Sequence, residues 1–141
     1  MTIENYDFYC IDYAKRIVDT LGEEIKKNIF ATGEVENAIT KGLSVLYNNG
    51  VHAFLLFMIW KENSGTRAER RVYKVVDDLL VGKTDSQSLL RLNEIQLALD
   101  EAREPLEVGK TLSQNLDNLL FANELLSRTL SYARYQTKGI G

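Results

Sequence analysis

Apolar residues recur at alternating steps of three and four through almost every long stretch of this chain, the spacing of helices with one buried face. Ile3, Tyr6, Cys10, Tyr13, Ile17 and Leu21 make one such stripe. Phe8, Ile11 and Val18 lie off it, so they either widen it toward a second neighbour or leave apolar surface for a partner. Gly22 ends this helix or only weakens it, because Ile25, Ile29 and Phe30 continue an apolar pattern. From Glu34 onward, Val35, Ala38, Ile39, Gly42, Val45 and Leu46 share one side of a second helix, which Asn48-Asn49-Gly50 is expected to stop. Val51 to Trp60 is apolar nearly all round and predicts a helix in the middle of a bundle, with neighbours on most sides.

After the break at Asn63-Ser64-Gly65, Thr66 and Glu69 have the spacing of a capping box, and Val72, Val75, Val76, Leu79 and Leu80 are the expected buried face of the helix so capped. A further helix is predicted over Ser86 to Glu104 on Leu89, Leu92, Ile95, Leu99 and Ala102, and Pro105 discourages its continuation. The last helix is predicted to begin near Thr111, where Thr111 and Gln114 repeat the capping spacing. Its stripe is Leu112, Leu116, Leu119, Leu120, Leu126, Leu130 and Ala133. With one proline and nine glycines in 141 residues, the chain lacks the frequent turns of an all-β fold. The expected architecture is all-α: a single domain over residues 1–141, a bundle of about six helices.

The composition narrows the chemistry. Hydrophobic residues make up 45% and charged residues 26%, too apolar for a disordered chain. A lone cysteine, Cys10, excludes an internal disulfide and any cysteine-based metal site, and it falls on the buried stripe of the first helix. The single histidine, His52, is the only obvious general base; it reads as half-buried and hydrogen-bonded, and an enzyme reading survives only if it stands exposed in a cleft. Asp77-Asp78 and Glu23-Glu24 are adjacent pairs whose side chains diverge on a helix, so neither is an acid–base dyad. No metal site, cofactor or catalytic constellation is predicted. The N-terminus lacks the pattern of a signal peptide, and Val51–Trp60 is about half a membrane span, so a cytoplasmic protein without a membrane is expected.

Val81-Gly82-Lys83-Thr84 recurs as Val108-Gly109-Lys110-Thr111. Gly-Lys-Thr ends a phosphate-binding loop, but the glycine that pattern needs five positions earlier is replaced by Asp77 and Glu104, and neither copy follows a strand. Both copies are expected at helix junctions, with Gly as the C-terminal cap and Thr, or Asp85 after the first copy, as the next N-cap.

The positive signal is a basic stripe. Arg67, Arg70, Arg71 and Lys74 fall on one face of the fourth predicted helix, with the arginines in its first turns, where the macrodipole disfavours cations. An external anion accounts for that placement; so does a solvated face paired with Glu62 or Glu69. A second set, Arg128, Arg134 and Lys138, is interleaved with Tyr132 and Tyr135 on the last helix, which suits either a nucleic-acid strand or the dipole at a helix C-terminus. The net charge of −3 argues against a free-standing nucleic-acid binder, not against a subunit that touches nucleic acid with one face.

The segment Gly42-Leu43 through Asn49-Gly50-Val51-His52-Ala53-Phe54-Leu55-Leu56-Phe57, continuing to Lys61, resembles the central helix of the small helical subunit of type III-B CRISPR effectors, the Cmr RNA-targeting complex. Ala14-Lys15 to Val18 is similar to the first helix of that family, and Leu119-Leu120-Phe121-Ala122 to Tyr132-Ala133-Arg134 to its last. The likeness spans most of the chain and is thin between Thr66 and Val108; Tyr135 and Gln136 stand near positions where the family carries Arg, Lys or an apolar residue. The resemblance implies a non-catalytic subunit. Its copies would stack beside the backbone subunits of the complex and help hold guide RNA and target RNA while other subunits cut.

Phosphate contacts are then expected from Arg67, Arg70, Arg71, Lys74, Arg128, Arg134 and Lys138, with Lys15 and Lys61 as further candidates. The small subunit of the type III-A complex is a close alternative. A helical protein–protein adaptor that never meets nucleic acid is an alternative of another class.

Overall fold

In the computed structural model, which describes residues 6–82, 89–91 and 105–140, the first stripe from Cys10 to Leu21 lies on helix α1, Asp7–Lys26, with Tyr6 just before it and Ile3 outside the described residues. Cys10, Tyr13, Ala14, Ile17 and Leu21 are buried. Of the off-stripe residues, Val18 is buried whereas Phe8 and Ile11 face outward. Gly22 does not end the helix, which runs on to Lys26; Asn28, at φ 58°, turns the chain.

Helix α2, Thr32–Ser64, joins two predicted helices. Gly50 has φ 91° and ψ −177°, a non-helical conformation, so the regular helix breaks there as Asn48-Asn49-Gly50 leads one to expect, and a second helical half continues across the kink. Its second half buries Val51, Phe54, Leu55 and Met58 but exposes His52, Leu56 and Trp60. This corrects the expectation of a helix enclosed on most sides: its neighbours cover one side, and a stripe at i, i+4 and i+8 is left to solvent. Helix α2 is long and apolar enough to cross a membrane by length and composition alone; here its buried face packs in the core.

Helix α3, Arg67–Val76, starts where the capping box predicts and buries Val72, Val75 and Val76. A π-helical turn, Asp77–Val81, follows, and Gly82 closes it in the left-handed conformation at φ 68°. The predicted helix over Ser86–Glu104 lies outside the described residues except for Leu89–Arg91, which form a 3-10 turn.

Pro105 opens α4, Pro105–Ser113, at the helix position that needs no N–H donor. The second Val-Gly-Lys-Thr copy therefore sits inside a helix and not at a junction. Its glycine has a packing role: a β-carbon on Gly109 would stand 2.5 Å from Nδ1 of His52 on α2. Helix α5, Leu116–Ile140, begins after Asn115, whose Oδ1 accepts from the Asn118 N–H at 3.1 Å. The last predicted helix is thus two, with Asn115 in place of Thr111 as the cap.

Five α-helices with no strand among the described residues make an all-α fold, against the about six helices expected. Tyr6 meets Phe121 edge-on at one end of α1, and a β-carbon on Gly22 would lie 4.0 Å from Ile140 toward the other, so α1 and α5 run parallel. Helix α2 packs against α3, α4 and α5 and joins the two halves of the core.

Candidate nucleic-acid interface

Four residues decide which face of α3 looks outward. The Thr66 hydroxyl accepts from the Glu69 N–H at 3.2 Å, and Glu69 Oε1 accepts from the Thr66 N–H at 2.9 Å. This turns the Glu69 carboxylate inward, where its Oε2 meets Lys41 at 3.2 Å and Lys61 at 3.3 Å. Burial pushes the Glu69 carboxyl up, but the Thr66 N–H and the two lysines outweigh it and hold the group down at about 2. Glu69 is consequently not a partner of the basic stripe, although its place in the sequence allows that pairing. It ties the start of α3 to α2 on both sides of the kink at Gly50.

The opposite face of α3 carries the stripe. Arg67, Arg70, Arg71 and Lys74 line an open depression of about 500 Å³, walled by Glu24 of α1, by Ile29 and Phe30 of the connection that follows, and by Glu62 and Asn63 near the end of α2. Arg71 donates from Nε to Glu24 Oε1, and Lys74 pairs with Asp78 at 3.2 Å. Arg67 and Arg70 are exposed, and their guanidinium groups have no hydrogen bond or ion pair among the described residues. Glu62 borders the depression without pairing to either. Two uncommitted guanidinium groups beside two further cations form a patch that attracts anions, and the arginine fork matches phosphate oxygens.

The second basic set is engaged within the protein. Arg128, half-buried, spans Asp7 at 3.2 Å and Glu124 at 3.1 Å. Burial lowers its pKa, but hydrogen bonds to Glu124 and Asp7 raise it further, so the cation is held there. Tyr132 donates to the same Asp7 oxygen at 2.6 Å, which pushes its phenol up. Arg134 and Lys138 approach Glu36 Oε1 at 3.9 and 3.5 Å, and the Lys138 ammonium stands 5.6 Å from the Tyr135 ring. These contacts fasten α5 to α1 and α2. Arg134 lines a separate groove with Tyr47 and Tyr135, so the stripe on α3 and the set on α5 do not form one patch.

Of the two remaining candidates, Lys15 is exposed on α1. Lys61 is held by Glu69 with its ammonium 4.2 Å from the Trp60 ring and only 16% of its side chain exposed. The walls of the depression were missed by sequence reasoning. Glu24 reads only as half of an acidic pair, and nothing in the local pattern shows that the end of α1 meets a basic stripe on α3.

His52 is exposed and not half-buried, and among the described residues no hydrogen bond orients its ring. The Cys10 thiol is buried, 3.9 Å from the Leu125 carbonyl, and burial pushes it up. The described residues contain no group of three or more His, Cys, Asp or Glu able to hold a metal. Comparison with protein-family models, curated proteins and solved structures finds no match for this chain.

Proposed function

We propose that this chain is a non-catalytic small subunit of a type III-B (Cmr) CRISPR ribonucleoprotein effector in the cytoplasm, and that the α3 face holds phosphates of guide or target RNA during antiviral defence. The observation that carries this reading is the open depression in which Arg67 and Arg70 have no carboxylate partner among the described residues. Paired surface cations contribute little to stability, and unpaired ones in the first turns of a helix oppose its dipole. An external anion gives both a role. The resemblance of Asn49-Gly50-Val51 to Lys61 to the Cmr small subunit supplies the kind of anion.

Arg67 and Arg70 are the first contacts in this reading, with Arg71 and Lys74 able to exchange partners. Arg128, Arg134, Lys138 and Lys61 serve the fold, and Lys15 is a peripheral cation. Exposed Phe8 and Ile11 on α1 and Leu56 and Trp60 on α2 support contacts with other subunits and with further copies of the chain. They equally suit the second reading, a helical adaptor that binds only protein. The small subunit of a type III-A complex shares the same chemistry.

Charge reversal at Arg67 and Arg70 in the assembled complex separates these readings. Loss of RNA retention that deepens as salt rises is the expected result. Retention equal to that of the unaltered complex removes α3 from the interface and favours the adaptor.

A further inference from the structure

Glu24 stands where an anion bound at this face would have to compete. Its carboxylate, at the end of α1, accepts from Arg71 Nε and lines the same depression as the two uncommitted arginines. Its side chain is only 19% exposed, so the charge is partly withdrawn from solvent and bears strongly on its surroundings. The Arg71 side chain makes no other hydrogen bond among the described residues, so its terminal nitrogens are uncommitted. A phosphate reaching them meets a guanidinium whose charge Glu24 already balances, and it meets the carboxylate itself as a like charge.

From this arrangement we infer that Glu24 is an internal competitor that sets the phosphate affinity of the α3 face. It keeps Arg71 in reserve until a strand held by Arg67 and Arg70 exchanges with the carboxylate. The inference rests on the phosphate reading above. With Arg71 reserved, the isolated chain neutralises about two phosphates, a salt slope of about −1.4 for a single strand; release of Arg71 adds a third and moves the slope to about −2.1. On this inference the resident pair keeps phosphate binding by the isolated chain weak.

The test is binding of a labelled oligouridylate to the full chain at several salt concentrations, comparing the unaltered protein with Glu24→Gln, Arg71→Gln and the double variant. Glutamine keeps an oxygen for Arg71 Nε and removes the charge. Glu24→Gln is expected to tighten binding about threefold to tenfold and steepen the salt slope by about 0.7. Arg71→Gln is expected to cost little in the unaltered background and severalfold when Glu24 is already Gln. Equal cost of Arg71→Gln in both backgrounds, or unchanged affinity of Glu24→Gln, overturns the competitor role while leaving the phosphate reading intact. Absence of binding by both the unaltered chain and Glu24→Gln at the lowest salt overturns the phosphate reading itself. Circular dichroism melts of all four proteins separate these outcomes from misfolding.

Discussion

The Tyr73 hydroxyl oxygen lies 2.5 Å from the place a β-carbon on Gly42 would occupy, so α2 and α3 pack as closely there as glycine permits. The same hydroxyl donates to the Ala38 carbonyl, and the ring meets Phe57 edge-on at 5.5 Å. A buried phenol in this position stays protonated, because burial pushes its pKa well up.

Gly42→Ala is therefore expected to destabilise the protein by about 1–3 kcal/mol through overpacking. Tyr73→Phe is expected to cost about 1 kcal/mol from the lost hydrogen bond. In the double variant the nearest clash is gone, although Phe54 Cε1 at 3.1 Å stays close, so the combined loss should fall short of the sum by about 0.5 kcal/mol or more. Urea unfolding of the four proteins checks the cycle; strict additivity contradicts the contact.

Gly50 and Gly33 offer a contrast within one helix. At φ 91° and ψ −177°, Gly50 occupies a region that other residues enter at a cost of about 1–3 kcal/mol. Gly33 lies outside the left-handed region, and a β-carbon added there would have nothing within 4 Å. Gly50→Ala should lower the melting temperature, whereas Gly33→Ala should raise stability by about 0.4–1 kcal/mol. A Gly50→Ala variant as stable as the unaltered protein, or more stable, would contradict the kink.

The Glu69 carboxyl gives the fold an acid-sensitive tie. Its pKa falls from 4.5 in an unstructured chain to about 2 in the folded protein. A depressed carboxyl pKa stabilises the fold above the unfolded value, and that contribution is lost as pH falls from 4.5 through 2. A drop of that size corresponds to about 3 kcal/mol. Glu69→Gln should be less stable than the unaltered protein at pH 7, and the two should converge near the folded pKa of about 2. Unfolding free energies measured across that range check the sign; a gap that persists at the acid end refutes it.

Two sets of arginines on different helices should behave in opposite ways. Arg128→Met frees Asp7 and Glu124 and should cost about 1 kcal/mol, since all three groups are partly solvated. Gln at both Arg67 and Arg70 removes unpaired cations from the start of α3 and should change stability by no more than about 0.5 kcal/mol. Thermal melts distinguish the two. A large loss on replacing Arg67 and Arg70 would make them structural.

The fold was legible wherever local chemistry decided the outcome. The Thr66–Glu69 box, the buried valines of α3 and the C-terminal cap at Gly82 all follow from neighbours a few residues apart. Tertiary partners decided the rest. The break at Gly50 follows from local chemistry, but that the second half continues across a kink, with Glu69 reaching Lys41 and Lys61 on either side of it, does not. Val-Gly-Lys-Thr occurs twice, yet Gly82 closes a turn by its left-handed conformation and Gly109 admits His52 inside a helix. The basic stripe was legible from spacing alone. Which cations remain uncommitted was not, because Asp7, Glu24 and Glu36 reach their arginines and lysines only through the fold.

Isolation of the tagged chain from its native host tests the proposed membership of an RNA-holding effector. Sequencing of the RNA that accompanies it should return guide RNA carrying CRISPR repeat sequence, together with large partner subunits. Recovery of protein partners without guide RNA would contradict the account and leave the adaptor.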